Sequence, residues 1–322
     1  MCASPNASGL RAASEVLDLI ARIAPFFAVI AVGALAARAG LLNARVGGWL
    51  SAYTFWIGFP ALLIHWLGAP PPPDVGQGLT LGAYAAVMGG LIVAVWWTGR
   101  RLGWVSAEAA AGLPMVSGVG NTAFLGAPLA VAVLGPGARP LAATLVAVDF
   151  ILLMSLTIAI LQTGAASLGL WRALRRVLAN PTVLGAAAGL TLSITGTRPP
   201  AVLDQGLAIL AATASPVALL ALGGLIGREG ALPPRDDLPV LTLALMTKLL
   251  LAPLLVWAAL GVAGASPEMR ACATLLAACP TAVNVFIQTR TMGVFAHGAA
   301  QAIVAGTVLS GLTLTAAAHF LS

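Results

Sequence analysis

Hydrophobic positions along this chain come in long blocks, separated by short clusters of arginine, proline, glycine and acidic residues. A helix that crosses hydrocarbon needs about 20 mostly apolar residues. Ten blocks meet that length, at roughly 16–37, 46–67, 79–99, 108–134, 140–163, 180–196, 201–226, 238–262, 268–289 and 294–320. The pattern predicts an all-α integral membrane protein with ten transmembrane helices. Pro70 to Pro73, followed by Asp74, predict a stiff extended turn, and Gly227 to Asp237 a short charged loop.

Two blocks differ from the rest. The fourth is broken by SGVGNTAFLGAP (Ser117 to Pro128) and the ninth by ACPTAVNVFIQ (Ala278 to Gln288). Unwound backbone survives at membrane depth only where protein or a water-filled cavity satisfies it. Paired interruptions in two halves of a chain point to a carrier's binding site. The second limb of each broken helix begins inside the membrane, its free N–H groups and positive dipole end turned toward a cavity, which suits an anion. Gly118 and Gly120 supply flexibility in the first break, and Pro280 removes a donor in the second. Asn121 and Asn284 each offer a donor and an acceptor, either to cap backbone or to bind substrate. If the breaks cross at mid-membrane, both tips face one small space. A lone break is more often a kink than a site; a matched pair, both with asparagine, is not easily read that way.

Composition agrees with the pattern. Hydrophobic residues make up 60% of the chain and charged residues 8%, with a mean hydropathy of +0.99. Soluble domains carry about 25% charged residues. The net charge of +6 comes from scattered basic residues, which argues against nucleic-acid binding. The arginines divide unevenly between alternate loops: ten on the side of Arg38, Arg45, Arg100, Arg101, Arg172, Arg175, Arg176, Arg228, Arg235 and Arg290, five on the side of Arg11, Arg22, Arg139, Arg198 and Arg270. The richer side should be cytoplasmic, leaving both termini non-cytoplasmic. The N-terminus lacks a signal-peptide pattern and is expected to remain in the mature chain. Cys2, Cys272 and Cys279 provide no disulfide framework and no metal spacing, so no metal or cofactor is expected.

Two charges fall deep within predicted spans, Asp149 and Lys248, and intramembrane charges are functional candidates. Asp149 is a candidate proton carrier; Lys248 is a candidate to neutralise helix carbonyls or an anionic substrate. A structural Asp–Lys pair, or a Lys248 bonded to carbonyls without a transport role, remains open. His65, His297 and His319 sit near span ends and read as anchors. Trp49, Trp66, Trp104 and Trp171 suit an interfacial belt. GAAAG (Gly185 to Gly189) and GGLIG (Gly223 to Gly227) suit close helix packing.

The chain also matches itself. A shift of 156 residues places Pro25 on Pro181, Gly33 on Gly189, Gly40 on Gly196, Pro60 on Pro216 and Gly68 on Gly224. Asn121 and Asn284 stand 163 apart, which requires a small insertion. The halves are then 1–163 and 180–322, joined by a short basic cytoplasmic loop at 164–179. Five spans in each half reverse direction between copies, giving two inverted five-helix repeats and hence two conformations of similar energy.

GNTAFLGAP (Gly120 to Pro128), CPTAVNVFIQ (Cys279 to Gln288) and KLLLAPLL (Lys248 to Leu255) resemble the fourth, ninth and eighth spans of the auxin efflux carrier family, which includes bacterial malate and malonate permeases. The resemblance implies spans 1, 2, 6 and 7 as scaffold and spans 3–5 and 8–10 as a moving transport domain. It implies a fold shared with bile-acid sodium symporters, with spans 4 and 9 crossing at the substrate site. On that pattern Asn121, Asn284 and Pro280 carry over as substrate-site residues, and Gly120, Thr122 and Thr281 stand beside them. The long central loop of the plant members is missing here. The expected function is a secondary transporter of small organic anions in the cell inner membrane, in contact with lipid and paired as a homodimer through its scaffold helices. A sodium-coupled symporter, with Asn121, Thr122, Thr281 and Asn284 as sodium ligands, and a passive anion channel are the alternatives. An enzyme is not expected, because no HExxH or GxSxG motif and no paired intramembrane carboxylates occur. No Walker loop occurs to bind ATP.

Overall fold

Each apolar block becomes a helix because, away from water, a helix satisfies its own amides. The computed structural model describes residues 21, 24–68, 75–101, 105–161, 175, 178–229 and 238–321. The beginning of the first predicted span, the Pro70–Pro73 turn with Asp74, Trp104, most of the Gly227–Asp237 loop and all of the basic Trp171–Arg176 run except Arg175 lie outside them. In chain order the helices are α1 (Ala24–Arg38), α2 (Ala44–Leu67), α3 (Val75–Arg101), α4 (Ala107–Gly118), α5 (Thr122–Leu134), α6 (Pro136–Leu161), α7 (Pro181–Thr195), α8 (Ala201–Glu229), α9 (Leu238–Val262), α10 (Pro267–Ala277), α11 (Val283–Met292) and α12 (Ala296–Leu321). The described residues hold no strand, only one isolated β-bridge.

Six helices, α2, α3, α6, α8, α9 and α12, are long and apolar enough to cross a bilayer; α1, α5 and α7 are shorter apolar helices. The protein is thus an all-helical, multi-pass membrane protein. Trp49, Trp97, Val202 and Val262 stand outward, 57–92% exposed, as lipid-facing side chains do.

Helix ends follow their local sequence. Asn43 Oδ1 accepts from the amides of Arg45 and Val46, and the hydroxyls of Ser106 and Ser266 accept from Ala109 and Met269 at the starts of α4 and α10. Gly40 and Gly196 close α1 and α7 with φ of +76° and +64°, the left-handed conformation that glycine adopts without steric cost.

Four helices contain a five-residue π segment: Thr54–Gly58, Thr122–Gly126, Asp149–Leu153 and Thr247–Leu251. Three of them end two residues before a proline, namely Pro60, Pro128 and Pro253. A proline has no N–H for the preceding turn, and a widened turn is one way for the helix to absorb that loss. The exception begins at Asp149.

Two sets of helix contacts stand out. α2 lies against α7 and α8, while α3 packs on α4 and α9, and α9 on α10. The first group closes through glycine. A Cβ on Gly33 would stand 2.3 Å from Leu220 O, one on Gly223 2.0 Å from Ile30 O, and one on Gly189 2.7 Å from Leu63 O. These are the close contacts that small-residue motifs permit. The second group surrounds Leu113, Met115, Met88, Ile92, Val256 and Leu276, all buried. Cys272 and Cys279 are buried free thiols there. His65 is not a lone anchor: its Nδ1 lies 2.9 Å from Asp204 Oδ1 and joins α2 to α8.

Candidate functional site at a helix crossing

The first break occupies Val119 to Asn121. Val119 is extended, at φ −92° and ψ 106°, and Asn121 leaves helical geometry at φ −76° and ψ 47°. The second break occupies Ala278 to Ala282, between α10 and α11. The two breaks meet. Gly120 and Thr281 form an antiparallel bridge, the Asn121 amide donates to Pro280 O at 2.7 Å, and the Ala282 amide donates to Val119 O at 3.1 Å. Thr281 adds a side-chain bond, its hydroxyl donating to Val116 O at 2.8 Å.

Two amides just ahead of the second limbs, those of Asn121 and Ala282, thus bond across the crossing, because two extended segments buried side by side satisfy each other more cheaply than either alone. The asparagines are not equivalent. Asn121 is the residue before α5, whereas Asn284 lies within the first turn of α11. The bridge itself is symmetric at a spacing of 161, which carries Asn121 onto Ala282 and Val119 onto Pro280, whereas the caps Ser106 and Ser266 stand 160 apart, as do Gly135 and Phe295, both of positive φ.

Lys248 lies beside the crossing, 1% exposed. Its ammonium donates to Ala277 O at 2.7 Å, neutralising the carbonyl end of α10. A Cβ on Gly120 would lie 2.8 Å from that nitrogen, so only glycine leaves room for it. Asp149, on α6, accepts from the Tyr84 hydroxyl of α3 at 2.7 Å. The Thr122 hydroxyl neighbours the same carboxylate without closing a hydrogen bond. Asp149 and Lys248 feel each other's charge but form no ion pair.

Several polar groups here have no partner. Ser117 Oγ, Thr122 Oγ1 and both side-chain atoms of Asn121 are buried without a hydrogen bond. Asn121 caps nothing. Such groups cost about 1–3 kcal/mol each and require an explanation. Asn284, 8% exposed, lines a cavity of about 520 Å³ together with Ser51, Phe55, Trp56, Arg228 and Gln288. A second cavity, of about 300 Å³, sits at the other end of α2, lined by Leu67, Gln77, Thr144, Ser193 and Glu268.

Of the residues singled out from sequence, Gly120, Asn121, Thr122, Pro280, Thr281 and Lys248 come together at the crossing. Asn284 looks onto the larger cavity, and Asp149 sits one layer away with Tyr84. Sequence reasoning missed Tyr84, although a tyrosine inside an apolar helix, one of two in the chain, was a usable signal. It missed Gln288 and Arg228 as cavity residues too.

An all-helical membrane protein with two broken helices knotted at a buried polar point has the architecture of a membrane transporter. Residues 18–317 match the family described as "Membrane transport protein", and the chain belongs to that family. It is 28% identical over 312 residues, covering 92% of this chain and 94% of the other, to a Rhizobium meliloti (strain 1021) protein named "Putative malonate transporter". The family resemblance carried by the three motifs is therefore borne out, and the protein is a membrane transporter.

Proposed function

We propose that this transporter is a secondary carrier of small organic anions working by alternating access. The observation that carries the reading is a buried Asn121 side-chain amide with no partner at the crossing, together with an Asn284 that lines a cavity. Buried polar groups without a protein partner are those that a substrate or its waters satisfy. The site comprises Gly120, Asn121, Thr122, Pro280, Thr281 and Asn284, with Asp149 and Lys248 balancing charge or coupling the cycle. The malonate named in the relative's description is a small dicarboxylate of the class such a site suits.

Ten helices in two inverted repeats, 1–163 and 180–322, provide the two conformations. Support comes from Gly40 and Gly196 ending α1 and α7 alike, and from Gly33 meeting α8 as Gly189 meets α2. We assign α1, α2, α7 and α8 to a scaffold, through which two copies would pair, and the other helices to a mobile domain. The arginine-rich end faces the cytoplasm of a cell inner membrane, with both termini outside. The larger cavity then opens inward.

A carrier fits better than a channel, because the two cavities share no lining residue. Sodium coupling at this point is disfavoured by Lys248, whose fixed ammonium already occupies the α10 carbonyl end. Liposomes containing the purified protein should take up labelled malonate saturably and exchange it against internal malonate, with or without sodium. Asn284→Ala should lower uptake at least tenfold. Flux that never saturates would sink the carrier reading.

A further inference from the structure

The larger cavity contains a cation that the crossing does not explain. Arg228 sits in the last turn of α8, where a cation ordinarily does no more than balance the helix dipole. Its guanidinium instead leans across to α2. A Cβ on Gly47 would lie 3.2 Å and 3.4 Å from its two terminal nitrogens, and one on Gly224 3.4 Å from Nη1. The missing side chains at both glycines let the planar group lie flat against the helices. Nη1 donates to Leu42 O at 3.2 Å.

A guanidinium has five N–H donors, and among the described residues the bond to Leu42 O is the one its side chain makes. Among the described residues no carboxylate lies within ion-pairing distance of it. The described arginines Arg38, Arg45, Arg100, Arg101 and Arg175, assigned to the same side, do not line the cavity. Asn284 and Gln288, four residues apart and therefore on one face of α11, also line it. Neither amide forms a hydrogen bond with a described residue, and Asn284 is nine-tenths buried. The walls between are apolar, with Phe55, Trp56, Ala221 and Leu225. The volume, about 520 Å³, lies within the usual range of a small-ligand site.

We propose that Arg228 is a substrate-selecting residue, which receives one carboxylate of a two-headed organic anion while Asn284 and Gln288 face its other end. The role rests on the carrier site proposed above and adds to it a residue from the opposite helix group. A planar fork matches a carboxylate in two parallel bonds, which an ammonium does not. A substrate bridging α8 and α11 also couples occupancy to the relative position of the two groups.

The test compares malonate with monomethyl malonate, which keeps the chain but loses one charge. Uptake into liposomes and thermal stabilisation of the purified protein are measured for wild type, Arg228→Gln and Arg228→Lys. Arg228→Gln should raise the half-saturating malonate concentration about tenfold to a hundredfold, the loss expected for one charge-assisted contact. The shift for the monoester should be at least tenfold smaller. Arg228→Lys, which keeps the charge and any role in topology, should fall between. Equal shifts for diacid and ester, or full rescue by lysine, would overturn the role. Wild-type protein that neither binds nor moves either compound would refute the carrier site itself, a different result from a variant without selectivity.

Discussion

The glycine-lined contacts of α1 with α8 and of α2 with α7 have little in common with the crossing of the two breaks. In the first, backbone lies directly on backbone: an added Cβ at Gly223 or Gly33 meets a carbonyl oxygen. Among the described side chains there, none is a buried polar group without a partner. At the crossing, four side-chain atoms of Ser117, Asn121 and Thr122 go unsatisfied within six residues, and a buried ammonium fills the space above Gly120. One region is optimised for contact, the other holds a polar deficit. A protein tolerates such a deficit where a ligand or a movement makes it good.

Adding a methyl group to each region should separate them most sharply. In Gly223→Ala the new Cβ falls 2.0 Å from Ile30 O and 2.9 Å from Gly33 Cα, and neither backbone atom gives way. Overpacking of this kind costs about 1–3 kcal/mol or more, so the melting temperature in detergent should fall steeply. In Gly120→Ala the nearest atoms are the flexible end of Lys248, at 2.8 Å and 3.0 Å. That variant should fold within about 1 kcal/mol of wild type and lose at least tenfold in uptake, because the ammonium has to leave Ala277 O. Transport by Gly120→Ala at the wild-type rate would erase the distinction.

Asn121→Ala sharpens it further. Removing an amide that is buried and unbonded relieves a penalty of about 1–3 kcal/mol, offset in part by the small cavity left behind. Stability should hold or rise while uptake falls tenfold or more. A structural asparagine would behave the opposite way, melting earlier with transport intact. A smaller effect is expected at Asp149. Asp149→Asn keeps the acceptor for Tyr84 but removes the charge, so protein folding should be preserved and the pH dependence of uptake flattened. An unaltered pH profile removes Asp149 from coupling.

Much of this was legible in the sequence, for physical reasons. Long apolar blocks have one stable outcome in hydrocarbon, and where both flanks are described the predicted limits fall close to the observed ones: 46–67 against Ala44–Leu67, and 180–196 against Pro181–Thr195. The breaks were legible because glycine and proline disrupt helices locally. What joined across the chain was not. Nothing near Asn121 announces that its backbone amide finds Pro280 O, and alignment on the two asparagines suggested a spacing of 163 where the ladder uses 161. The residue type drew the eye, but the hydrogen-bond ladder set the register. The π segments were missed as well, although the prolines two residues beyond three of them were visible. Arg228 looked like one more topology signal until the bend of its side chain over Gly47 placed it in a cavity.

The weakest link between the two regions gives the finest test. Ser215 belongs to α8, on the glycine-packed side, and its hydroxyl donates to Phe124 O in the π segment of α5. Pro128 stands four residues after Phe124, so the helical donor that carbonyl would ordinarily receive does not exist. The serine supplies it from across the boundary. If α8 stays fixed while α5 moves, this bond exists in one conformation and breaks in the other. Ser215→Ala should then cost about 1 kcal/mol in the present conformation, roughly a fivefold shift in the balance between the two. The maximal rate of malonate exchange should change by up to that factor, with little change in the protein's overall fold. A melting temperature lowered by the same increment, with the exchange rate untouched, would mean that α5 and α8 travel together, and the boundary between scaffold and mobile domain would have to be drawn elsewhere.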